Sequence, residues 1–79
     1  MERHPVILSI AGSDCSGGAG IQADIKTISA LGGYAASAIT AITIQNTLGV
    51  RAVQSIAPDI VRGQIEAVLH DLQPVAIKI

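Results

Sequence analysis

Seventy-nine residues carry five Lys or Arg against six Asp or Glu, a net charge of −1, and 49% of them are apolar. With no basic run, the chain has no electrostatic means of holding nucleic acid; with a single cysteine, Cys15, it forms no internal disulfide and fits a reducing, cytoplasmic setting. One Tyr, no Phe and no Trp leave a core of Ile, Val, Leu and Ala, each burying modest area.

The first predicted element is a strand, Val6 to Ala11, a largely apolar run ended by Gly12 and typical of a strand covered on both faces. It is too short for a signal peptide or a membrane span. A loop follows, then a helix over roughly Gly18 to Leu31, stopped by Gly32-Gly33. Tyr34 to Gln45, rich in Ala, Ile and Thr and free of proline, reads as a second strand. Asn46-Thr47-Leu48-Gly49 is a turn, and Val50 to Ile56 a third, more alternating strand. Pro58-Asp59 opens a second helix with Ile60, Val61, Ile65, Val68, Leu69 and Leu72 on one stripe. Pro74 ends it, and Val75 to Ile79 is a final strand. Strands alternating with helices predict an α/β fold with a mainly parallel sheet, and ligands beyond the carboxyl ends of its strands. A mean hydropathy of +0.53 is high for a free-standing domain of this size, and the chain closes inside an apolar run. Residues 1–79 therefore read as one part of a larger domain.

The densest chemical signal is AGSDCSGGAGIQAD, Ala11 to Asp24, with Gly12, Gly17, Gly18 and Gly20 within nine positions. Glycine gives close access to bare amides, and a helix N-terminus behind it offers unpaired N–H groups and a partial positive charge. A small polar or phosphorylated ligand fits there; a connection kept glycine-rich only for tight packing would have the same composition. Gly12 to Gly17 has the spacing of a P-loop, but Gly18 stands where the phosphate-binding lysine belongs, which excludes that motif. Gly18 to Ala23 satisfies GxGxxG/A, yet Ser37 to Asn46 contain no acid for a ribose, so a dinucleotide site is poorly supported.

Asp24 falls within the helical arc of Ile21, Ile25, Ile28 and Leu31, and a carboxylate on an apolar stripe needs donors. It either caps amides of a neighbouring loop or floors a ligand site; periodicity leaves both open. Thr43 and Gln45 alternate onto one face of the second strand, with Ile42 opposite. Gln45 offers a donor and an acceptor, the pair that reads an aminopyrimidine or amide edge, although a solvated strand end has the same sequence. Cys15 lies near a helix start without a histidine close in sequence and reads as a loop residue. His4, in the N-terminal arm, and His70, near the end of the second helix, are not read as catalysts, and no metal-ligand spacing is present.

From about Val6 onward the chain resembles the bacterial hydroxymethylpyrimidine and phosphomethylpyrimidine kinases of thiamine biosynthesis, in the ribokinase-like superfamily. The stretches that carry the resemblance are IAGSDCSGGAGIQADIKTISALGGYAASAITAITIQNTLGV (Ile10 to Val50), then IAPDIVRGQIEAVLHDL and the closing AIKI. It implies a three-layer α/β/α ribokinase-like fold, with residues 1–79 as the N-terminal part of a single domain. It also implies an ATP-dependent kinase that phosphorylates the pyrimidine's hydroxymethyl group and then adds a second phosphate, giving the diphosphate used to build thiamine. On this resemblance the pyrimidine pocket maps onto Gly12, Asp24, Thr43 and Gln45, with Gln45 and Asp24 hydrogen-bonding the ring's amino group and nitrogens. Thr43 stands where relatives commonly carry an apolar side chain. ATP, Mg²⁺, the anion hole and the group that activates the hydroxyl belong to a C-terminal part. No catalytic residue is therefore assigned within residues 1–79, which alone are expected to be inactive. A homodimer is the expected assembly, with no nucleic-acid or membrane partner. A pyridoxal kinase of the same fold and a non-catalytic pyrimidine-binding module are the competing readings.

Overall fold

The computed structural model describes residues 4–79, which form β1 (Val6–Asp14), α1 (Gly20–Ala30), β2 (Tyr34–Asn46), β3 (Gly49–Ser55), α2 (Pro58–Asp71) and β4 (Ala76–Lys78). The strands make one sheet in the order β3-β2-β1-β4. β1 runs parallel to β2 and β4, while β3 returns antiparallel along β2. The tight turn at Thr47-Leu48 dictates that return, because a parallel one needs a crossover of about a dozen residues. The sheet is thus mainly parallel with one antiparallel edge.

The two helices cover opposite faces, as alternation along β1 requires. Leu8 is fully buried and joins Ala36 and Ala38 of β2 in a core closed by Ile65 and Val68 of α2 and by Leu72 just beyond it. Its neighbour Ser9 meets Asp24 of α1 instead. Small residues on β2 let α2 lie close, and the result is the expected α/β/α sandwich in reduced form. α1 ends in a Schellman motif: Gly33 N–H donates to Ile28 O at 2.9 Å and Gly32 N–H to Ser29 O at 3.1 Å. Gly32 adopts the φ of 88° that this closure demands.

Several elements depart from expectation. β1 does not stop at Gly12 but runs to Asp14, because its ladder with β2 continues to the Asp14↔Thr43 pair. Ala11 pairs with Ile39 and Ser13 with Ile42, so β2 carries one residue in excess there; a bulge of this kind changes which β1 side chains the later β2 residues accompany. α1 begins at Gly20 rather than near Gly18, and its apolar arc is only partly covered: Ile21 is buried, but Ile25 and Leu31 are exposed. Ile42 is likewise exposed, as are Ile60 and Leu69 on the α2 stripe. Among the described residues, no helix is long and apolar enough to cross a membrane.

Candidate functional site

The glycine-rich loop is shaped as much by Asp14 as by its glycines. Asp14 is 4% exposed, and its Oδ1 accepts from the backbone N–H and the hydroxyl of Ser16 at 2.8 and 2.7 Å. The Ser16 hydroxyl foremost, helped by the amides of Ser16, Ala19 and Gly18, holds the carboxyl below the usual carboxylate range despite the opposing effect of burial. Those bonds keep residues 16–19 out of the helix. Gln22 reaches back from the first turn of α1: its Oε1 accepts the Asp14 N–H at 2.8 Å and its Nε2 donates to Ser13 Oγ at 2.7 Å. Lys26 Nζ donates to the Gly17 carbonyl at 2.9 Å. At Gly20, with φ 58°, a Cβ would overlap the Gly12 carbonyl oxygen, so only glycine lets α1 start this close to β1.

Where β1 and β2 end, an open concavity of ≈ 150 Å³ is lined by Gly12, Ser13 and Asp14, by Ala19 and Gly20 at the start of α1, and by Thr43 and Gln45 of β2. Three of the four residues singled out for a pyrimidine, Gly12, Thr43 and Gln45, therefore meet in one place. The Thr43 hydroxyl donates to the Ser13 carbonyl at 2.8 Å, which ties the two strand ends together. Gln45 is gripped through its backbone: its N–H donates to Cys15 Sγ at 3.3 Å, and the Cys15 thiol donates to the Gln45 carbonyl at 3.0 Å. Its carboxamide bonds to none of the described residues and keeps both a donor and an acceptor free.

Asp24 is not on the wall of this concavity. It lies one helical turn past Gly20, and its Oδ2 accepts from the Ser9 hydroxyl at 2.5 Å and from Lys78 Nζ at 3.0 Å. It caps no loop amides. Its side chain is 18% exposed and that of Lys78 55%. Ser9 first, then Lys78, hold the Asp24 carboxyl below its ordinary range, with burial acting the other way. Oδ1 has no partner among the described residues and is not sealed from solvent.

Sequence reasoning missed Ser9, Asp14, Cys15, Gln22 and Lys78. Asp14-Cys15-Ser16 does carry a local signal, since an aspartate bonding the amide two residues on is an Asx turn. The other contacts join residues 30 apart for Cys15 and Gln45 and 54 apart for Asp24 and Lys78, and one sequence has no pattern for that. Among the described residues, no group of three or more His, Cys, Asp or Glu is gathered to hold a metal ion. Asp14 Oδ1 already accepts from Ser16, and Asp24 Oδ2 from Ser9 and Lys78, so these residues are a poor fit for Mg²⁺.

A profile of the phosphomethylpyrimidine kinase family matches residues 14–79. The chain belongs to the phosphomethylpyrimidine kinase family. It is similar to the hydroxymethylpyrimidine/phosphomethylpyrimidine kinase of Rhizobium meliloti, 62% identical over 74 residues that cover 94% of this chain and 28% of that one. The corresponding protein of Mycobacterium tuberculosis is 55% identical over 94% of this chain and 27% of its own. Among solved structures, the phosphomethylpyrimidine kinase of Clostridium difficile 630 superposes with a TM-score of 0.90 at 59% identity, over 92% of this chain and 32% of that one. The pyridoxal kinase of Staphylococcus aureus in complex with AMP-PCP gives 0.86 at 38% identity, over 96% and 28%. The chain thus spans about 28% of the length of the curated relatives it matches. Within this phosphomethylpyrimidine kinase segment, Asp24, Thr43 and Gln45 fall inside the matched residues, while Ser9 and Gly12 precede them.

Proposed function

We propose that the protein carrying these residues is an ATP-dependent kinase that phosphorylates hydroxymethylpyrimidine and then its monophosphate, giving the diphosphate used in thiamine biosynthesis in the cytoplasm. The observation that carries this reading is the state of Gln45, a residue lining the concavity whose backbone is fixed by Cys15 while its carboxamide bonds to none of the described residues. A carboxamide left free on an anchored backbone offers one donor and one acceptor to an aminopyrimidine edge. Asp24 Oδ1 accepts from the ring's amino group. Gly12 has no side chain to hold the ring off the strand end, and Thr43 keeps the two strand ends together. The part played by these residues is binding and orientation, which is the larger share of what phosphoryl transfer asks of a protein.

Residues 1–79 are proposed as the N-terminal part of one ribokinase-like domain. A concavity of ≈ 150 Å³ is smaller than the roughly 300–1,000 Å³ usual for a small-molecule pocket, which supports a half-site completed by further residues. ATP, Mg²⁺, the anion hole and the hydroxyl-activating group belong to that remainder. A homodimer is the assembly we expect.

One observation favours a pyridoxal kinase, the TM-score of 0.86 with the Staphylococcus aureus enzyme; its 38% identity against 59% for the phosphomethylpyrimidine kinase weighs the other way. Steady-state phosphorylation by the full chain its gene encodes separates the two. kcat/KM for hydroxymethylpyrimidine is expected to exceed that for pyridoxal by about tenfold or more, and the reverse order contradicts the proposal.

A further inference from the structure

The parallel ladder sets Ser9 of β1 beside Lys78 of β4 as Cα partners, and ladder partners project from the same face of a sheet. α1 covers that face. Asp24 meets both side chains with a single oxygen, Oδ2, at 2.5 Å from the Ser9 hydroxyl and 3.0 Å from Lys78 Nζ. The order β3-β2-β1-β4 places the reversal of strand order beside β1, so the three side chains lie below the switch point beyond whose strand ends open α/β sheets receive ligands. Lys26, the other lysine on this side, is committed to the Gly17 carbonyl.

An ion pair whose lysine is 55% exposed adds little to stability. Its geometric effect is larger. A carboxylate is loosely held about its terminal torsion, and two donors on one oxygen fix its plane and leave Oδ1 as the free acceptor. We propose that Lys78 is a positioning residue for pyrimidine recognition: with Ser9 it holds Oδ2 of Asp24, so that Oδ1 is presented to the ring's amino group. This rests on the reading of the site given above. Without Lys78 the carboxylate keeps one anchor, and its ordering falls to the binding step, which weakens ground-state and transition-state binding alike and leaves transfer itself untouched.

The test is steady-state kinetics on the full encoded chain with hydroxymethylpyrimidine and ATP. Lys78→Gln is expected to raise the pyrimidine KM about tenfold, with kcat and the ATP KM within about twofold of the parent. Lys78→Arg is expected to recover most of the loss. In an Asp24→Asn background, Lys78→Gln should add little, because residues acting through one contact are not additive. If Lys78→Gln does not fold, Lys78→Met, which keeps the aliphatic stem, takes its place with the same expectation. A parental KM in the variant, a loss confined to kcat, or an undiminished effect in the Asp24→Asn background overturns the proposal. A parent that phosphorylates no pyrimidine overturns the functional reading and this one together, whereas an active parent with an indifferent Lys78 overturns this one alone.

Discussion

Gly20 stands where φ is 58° and the Gly12 carbonyl leaves no room for a Cβ. Gly20→Ala must therefore strain the backbone or lift α1 from β1, at an expected cost of about 1–3 kcal/mol; equilibrium denaturation of the full chain measures it, and parental stability would mean the contact is slack. Gln45→Ala removes the free donor and acceptor while leaving the backbone bonds to Cys15 in place. It should raise the pyrimidine KM by about tenfold or more with the ATP KM unmoved, and an unaltered pyrimidine KM takes Gln45 out of the pocket. Asp14 and Asp24 are both held below the ordinary carboxylate range. A depressed folded-state pKa stabilises fully above the unfolded value of about 4, and that share is lost as pH falls through the still lower folded values. Stability should thus be level between about pH 5 and 7 with respect to these groups and decline below about 4, and the decline should be shallower in Asp24→Asn; equal declines would contradict the pairing with Ser9 and Lys78. Gln45 and Asp24 were legible as candidates because their residue types are unusual for the stretches they occupy, while Gly12 and Thr43 came in through the family resemblance. Cys15, Ser9 and Lys78 were not, because their meaning depends on partners brought close only by the sheet.

At the scale of elements, the sequence announces helices and strands better than it announces their ends. The Gly32-Gly33 stop of α1 was readable because a Schellman closure has a fixed chemistry, and the structure uses it. The end of β1 was not, since Gly12-Ser13-Asp14 looks like a loop and becomes strand only through pairing with a bulged β2. That extra length matters: it carries Asp14 to Thr43 and brings the loop over the strand ends. The start of α1 was missed for a related reason, the hold of Asp14 on the residues before Gly20. Beneath these ends, Leu8 anchors β1 to β2 and α2 with no exposure. Leu8→Ala is expected to destabilise the full chain by about 2–5 kcal/mol, read by chemical denaturation, and a loss well under 1 kcal/mol would mean that the α2 face collapses to fill the space.

At the scale of the molecule, βαβ periodicity was enough to predict layers, but not the antiparallel return of β3, which the turn decides. Leu31, Leu48 and Ile79 remain 83, 94 and 90% exposed, and β3 and β4 are edge strands, so large apolar side chains and two rows of backbone groups stay uncovered. This agrees with a chain that spans about 28% of its relatives and with an open concavity of only ≈ 150 Å³. The central claim is that the glycine-rich loop and the two strand ends cradle a pyrimidine ring. A crystal structure of the full encoded chain with hydroxymethylpyrimidine tests it most directly. The account predicts the ring against Gly12, with the Gln45 carboxamide and Asp24 Oδ1 both within about 2.7–3.2 Å of its polar atoms. A ring bound elsewhere, or one that touches neither side chain, contradicts it.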